Sequence, residues 1–171
     1  MRAFVAVPVG DEPALGRPAT TREHLTLHFL GEIDPALLPR LAEGLAAVAG
    51  AHRPFAISIE GVGAFPRPDQ PRVVWRGVGE GRGELAQLAA AVREADAAAG
   101  APSDERTFAP HLTLFRVRSA ADAARARDLL DGRTPPPPPS RWTVRELQLI
   151  ESVRLPSGLE HRVRAREPLG G

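Results

Sequence analysis

The sequence predicts a mixed α+β fold, duplicated into two lobes about a pseudo-twofold axis, and three observations predict it. Short Val-, Ile- and Leu-rich segments bounded by Gly and Pro alternate with alanine-rich segments whose apolar residues recur at spacings of three and four; these are the patterns of strands and amphipathic helices. The last two strand-like segments read as a hairpin. The tetrapeptide His24-Leu25-Thr26-Leu27 recurs unchanged as His111-Leu112-Thr113-Leu114, 87 residues later and about half the chain away, the mark of an internal repeat.

The opening Arg2–Val7 is apolar after one arginine, and Gly10, Asp11 and Glu12 follow without a small-residue cleavage site, so it reads as a buried strand rather than a signal peptide. His24–Leu30 is the next strand. Asp34 before Pro35 caps the first helix, Pro35–Ala49, with proline at its first position. Strands over Pro54–Val62 and Arg72–Val78 precede a second helix, Gly83–Ala99. The repeated motif opens a strand, His111–Val117, and a third helix covers Ala120–Leu130. Five prolines, Pro135–Pro139, mark an element boundary, since proline donates to neither helix nor ladder. They read as a stiff connection to the sheet, with an SH3-type ligand as the alternative. Strands over Trp142–Glu151 and His161–Arg166 complete the chain. The first half has only Pro8–Glu23 where the second has a helix, so the first lobe is abbreviated.

The 171 residues make one domain, 1–171, with the two motifs at 24–27 and 111–114. A core of this size buries roughly 70% of the unfolded chain's surface, so no disulfide or metal staple is needed. All 22 basic residues are arginine, and lysine, cysteine, tyrosine and asparagine are absent. That excludes Schiff bases, P-loop lysines, nucleotidyl-lysine intermediates and thiolate chemistry. Histidine, carboxylates, hydroxyls and arginine remain. A net charge of +1 excludes a polybasic coat on nucleic acid but leaves room for a local arginine patch that holds phosphate. No apolar run approaches the length of a membrane span, so the expectation is a cytoplasmic monomer with no membrane partner.

In a strand, residues i and i+2 share a face. His24 and Thr26 therefore point one way and Leu25 and Leu27 the other, and His111 and Thr113 repeat the arrangement. Two imidazoles opposed across a small ligand suit in-line displacement at phosphorus, one taking a proton from the nucleophile and the other giving one to the leaving group. Threonine hydroxyls donate to the nonbridging oxygens, and an arginine offsets their charge. Histidine also ligates metals, but neither copy has a carboxylate at a supporting offset, so no metal or other cofactor is expected.

These residues resemble the 2H phosphoesterase superfamily, named for two HxTx motifs, and within it the RNA 2',3'-cyclic phosphodiesterases, historically called 2'-5' RNA ligases. The likeness covers almost the whole chain: MRAFVAV, HLTLHFLGE with Gly31 and Glu32, GVGAFPRPDQPRVVWRGV, and FAPHLTLFRVR with Pro110. The resemblance implies a bilobal LigT-like fold, two antiparallel-rich sheets around a central cleft with helices outside. It implies hydrolysis of RNA-terminal 2',3'-cyclic phosphate to 2'-phosphate, with such RNA as the partner; the acid-base scheme needs no metal, and without a lysine to carry AMP any 2'-5' joining is expected to be its ATP-independent reverse-type reaction. Carried over by motif, His24 is the general acid, His111 the general base, and Thr26, Thr113 and Arg116 bind the phosphate. Arg116 lies an odd five positions after His111, so the strand must end or bulge after Phe115, or the side chain must reach around. Most members also place a helix and an aromatic-bearing segment before the first motif, for which Pro8–Glu23 has no room, so a more open cleft is expected.

Phe65 is either a ring on which a base stacks or a plug of the core. His28 shares the face of His24 and reads as a solvated edge or a cleft rim; His52 and His161 read as surface residues, Trp75 and Trp142 as core. Arg162, Arg164 and Arg166 alternate on one face, as a charge-protected edge or a track for an RNA backbone. Two other functions fit the same motifs. One is an RNA-end binding module without turnover, and the other is a phosphodiesterase of small cyclic nucleotides.

Overall fold

A computed structural model describes residues 1–10, 23–102 and 107–170. Residues 11–22, on which the expectation of an abbreviated first lobe falls, lie outside the described residues. The elements follow in the order β1 (Arg2–Pro8), β2 (His24–Glu32), α1 (Leu38–Ala51), β3 (Phe55–Arg67), β4 (Gln70–Val78), α2 (Arg82–Ala98), β5 (His111–Arg116), α3 (Ala120–Leu130), β6 (Ser140–Val144), β7 (Glu146–Leu155) and β8 (Gly158–Pro168).

Among the described residues the strands form two four-stranded sheets, ordered β2-β1-β7-β8 and β5-β4-β3-β6, and every pairing is antiparallel. Each sheet carries one copy of the tetrapeptide on an edge strand. Neither sheet is built from one half of the chain: the first takes its strands from both ends and the second from the middle. The expected single strand Trp142–Glu151 is therefore two strands in different sheets. In the core shared by the two sheets Trp142 and Val144 stand at even positions, Leu147 and Leu149 at odd ones. The alternation changes phase at Arg145 and Glu146, where the chain crosses between sheets, because a strand can serve one core face only in one phase.

One continuous core joins the sheets, drawing Val5, Val7, Leu25, Leu27 and Leu149 from the first and Ile57, Ile59, Leu112, Val144 and Trp142 from the second. Helix α1 contributes Leu41 and Leu45, and α2 contributes Leu85, Leu88 and Val92. Helix α1 packs on α2, β7 and β8, α2 on β2, and α3 on β3 and β4. Asp34 caps as expected, its Oδ1 accepting from the Ala36 N–H at 2.9 Å, but it opens one 3₁₀ turn ahead of α1. Ser119 and Asp122 form a capping box on α3. The Arg118 N–H and the Ser119 hydroxyl hold the Asp122 carboxyl below its ordinary value, so this cap stabilises α3 above the usual carboxylate range and is lost as pH falls through the lowered value.

Arg76 is fully buried. Its guanidinium donates to Ile59 O at 3.2 Å, Gly61 O at 3.4 Å and Pro138 O at 3.0 Å. The proline run is thus tied to the second sheet just before β6, as a stiff connection. Burial lowers the Arg76 guanidinium below its ordinary value, with the Glu60 carboxylate opposing. Among the described residues no helix is long and apolar enough to cross a membrane.

Candidate active site

The two edge strands that carry the tetrapeptide, β2 and β5, approach each other with Cα atoms within 8 Å. Leu25, Leu27 and Leu112 are buried and Leu114 packs against the same core, which leaves His24, Thr26, His111 and Thr113 partly exposed on the other face. Both copies then bulge at the same residue. In β2 the partners Ala6↔Thr26 and Val5↔His28 leave Leu27 unopposed; in β5 the partners Trp75↔Thr113 and Val74↔Phe115 leave Leu114 unopposed. A bulge shifts the alternation by one residue, and directly paired residues share a face.

Arg116, opposite Val73, therefore returns to the face of His111 and Thr113. The parity problem is solved one residue earlier than expected, at Leu114, and Phe115 turns instead toward α3, where the Arg125 guanidinium lies 4.2 Å from its ring centroid. The same shift corrects the placement of His28. It points behind the strand, 4% exposed, with Nδ1 2.6 Å from Asp96 of α2. Phe29 takes the cleft face beside Phe4, in the position that Arg116 occupies in the other copy.

Each catalytic candidate sits in an aromatic nest. His111 lies 4.8 Å from the Phe65 ring and 6.2 Å from the Trp75 ring. Its Nδ1 donates to Ala109 O at 2.7 Å, which assigns the proton of the neutral ring to Nδ1 and leaves Nε2 as an acceptor. Phe65 is thus a half-buried ring on the site face, 5.2 Å from Trp75. Trp75, expected in the core, stands on this face as well, opposite Thr113. Trp142 is in the core. His24 lies 4.6 Å from Phe4 and 5.0 Å from His161. His161, read as an ordinary surface residue, is partly exposed, and its ring packs against His24 and Phe4. The alternation Leu159, His161, Val163 against Glu160, Arg162, Arg164 was the signal that put it on the apolar face of β8.

The three arginines of β8 do not share a face. A bulge between Val163 and Ala165 leaves Arg164 unopposed and shifts the phase, so Arg166 lies opposite Gln148 while Arg162 lies opposite Glu151. Each is ion-paired: Arg162 with Glu160, Arg164 with Glu151, Arg166 with Glu146. This is the charge-protected edge rather than a row of free cations. His52 donates its Nδ1–H to Val48 O at the end of α1, away from these strands. Among the described residues no group of three or more His, Cys, Asp or Glu is placed to hold a metal ion.

The Trp75 indole covers Gly63, its partner across the β3–β4 pair, and a Cβ built on Gly63 falls 2.3 Å from the indole. Gly63→Ala must displace the ring that flanks His111. The expected result is a loss of about 1–3 kcal/mol of stability from overpacking together with an altered tryptophan emission; an unchanged spectrum and melting temperature would contradict the packing.

A family profile described as the 2'-5' RNA ligase superfamily matches residues 15–155. The Archaeoglobus fulgidus protein named RNA 2',3'-cyclic phosphodiesterase is 39% identical over 177 residues, with 92% of this chain and 94% of that one covered. The Aeropyrum pernix protein of the same name is 41% identical over 97 residues, and that match spans 57% of this chain and 54% of the relative. Escherichia coli LigT, in a crystal structure with 3'-AMP, superposes with a TM-score of 0.70 at 27% identity, covering 99% of this chain and 98% of that one. With both motifs on facing edge strands and the match running through them, the chain belongs to the 2'-5' RNA ligase superfamily.

Proposed function

We propose that the protein hydrolyses the 2',3'-cyclic phosphate ends of RNA to 2'-phosphates by paired histidine acid-base catalysis. The observation that carries the reading is the pair of identical HLTL strands, bulged at the same residue, that present a histidine and a threonine each from adjoining sheet edges. His111 Nε2 takes a proton from water as the water oxygen attacks phosphorus. The bond from phosphorus to the 3' oxygen breaks, and His24 gives its proton to that oxygen. Thr26 and Thr113 donate to the nonbridging oxygens, and the Arg116 guanidinium offsets the charge that builds on them. Phe65, beside His111, offers a ring face to a base. In the joining reaction a 5' hydroxyl replaces water and gives its proton to His111, so ATP has no part; the chain has no lysine to carry AMP.

The test is incubation with RNA ending in a 2',3'-cyclic phosphate and identification of the product. The expected result is a 2'-phosphate formed at a rate unchanged by EDTA, since the scheme routes no step through a metal. A 3'-phosphate product or chelator-sensitive turnover overturns the mechanism, and binding without product selects an RNA-end binding module. Faster turnover of mononucleotides than of oligonucleotides shifts the substrate to small cyclic nucleotides.

A further inference from the structure

We infer that His161 is a positioning residue for His24, holding its imidazole against Phe4 in the orientation that delivers a proton to the leaving oxygen. The three rings form a closed triangle. His24 lies 4.6 Å from Phe4 with the planes 31° apart. His161 meets both at steep angles, 5.0 Å from His24 at 66° and 5.2 Å from Phe4 at 72°. This edge-to-face arrangement is the favoured one for aromatic pairs.

The contact is built by the fold. His161 is on β8 and His24 on β2, the opposite edges of one four-stranded sheet with β1 and β7 between them. Their rings touch because the sheet curls around its concave face, helped by bulges in β2 and between Leu149 and Ile150 of the β7–β8 pair. The register places His161 opposite Ser152 and Phe4 opposite both Phe29 and Ile150, so all the rings share that face. Phe4 is 4% exposed and packs with Ala6 and Ile150, which makes it a fixed platform. His24 itself is partly exposed on an edge strand. With Phe4 beneath and His161 at its side, the orientations that swing the imidazole toward β8 are closed.

The inference rests on the reading of His24 as general acid. The test measures kcat and KM on cyclic-phosphate RNA for His161→Ala, His161→Phe, His161→Gln and His24→Ala. Misplacing a catalytic group costs rate rather than affinity, so His161→Ala is expected to lower kcat about tenfold with KM within about twofold. His161→Phe, which keeps a ring against His24, restores most of the loss, while the polar, non-aromatic His161→Gln does not. Wild-type kcat in His161→Ala overturns the inference, as does rescue by glutamine but not by phenylalanine. A fully active His24→Ala overturns the general-acid reading itself, so the two failures are distinguishable.

Discussion

Replacing His24 or His111 by alanine lowers kcat for cyclic-phosphate hydrolysis by about 10²- to 10⁴-fold each, the range a positioned proton transfer supplies. The losses differ in kind. Without His111 no neutral imidazole takes the proton of water, and Nε2 is the atom free to do so because Nδ1 is committed to Ala109 O. Without His24 the 3' oxygen departs as an alkoxide, so the deficit is smallest with a substrate whose leaving group is a weaker base than an alkoxide. The double variant falls little below the worse single one, because groups that act as a unit in one transition state are strongly non-additive. Melting temperatures stay near wild type, since both rings are partly exposed and the flanking Leu25, Leu27 and Leu112 carry the packing. Full activity in either single variant sinks the paired mechanism.

The site was legible in the sequence as far as one face of a strand extends. His24 with Thr26, and His111 with Thr113, follow from a period of two, and the repeat at half-chain spacing paired them. The next residues were not legible, because a bulge is decided by the partner strand. HLTLHF accommodates two phases, and only the pairing of Val5 with His28 and Ala6 with Thr26 selects the one that buries His28 and exposes Phe29. The same pairing logic, through Val74 and Trp75, turns Arg116 back to the site. A mid-sequence phase change was readable at Arg145, where Trp142 and Val144 give way to Leu147 and Leu149. The contact between His161 and His24 was not readable, since it joins opposite edges of a curled sheet. The two bulged copies differ in what they present after the threonine, an aromatic ring at Phe29 and a cation at Arg116. Similar strands thus offer unlike walls, which suits a substrate with a nucleoside on one side of its phosphate and water on the other.

Asp96→Ala is expected to cause the largest loss of stability among single changes behind the site. The carboxylate, 3% exposed on α2, meets His28 Nδ1 at 2.6 Å beneath β2. Truncating it leaves a buried imidazole nitrogen without its partner, which costs about 1–3 kcal/mol if the ring is neutral and about 3–5 kcal/mol if a buried charge is stranded. For a chain of this size each kcal/mol lowers the melting temperature by about 2–4 °C. His28→Leu alone strands the aspartate and is expected to cost a similar amount. The pair His28→Leu with Asp96→Leu removes both polar groups from a buried position between β2 and α2, and replacing a buried ion pair by apolar residues is often neutral or stabilising. The double variant is therefore expected to melt near wild type, giving a coupling energy close to the single losses in a double-mutant cycle. Additive losses would mean that the two side chains stabilise β2 and α2 separately. Because His28 lies behind the strand, the double variant also separates structure from chemistry: kcat stays near wild type below its melting temperature, whereas a large loss would show that the bulge at Leu27 depends on this pair to aim Thr26.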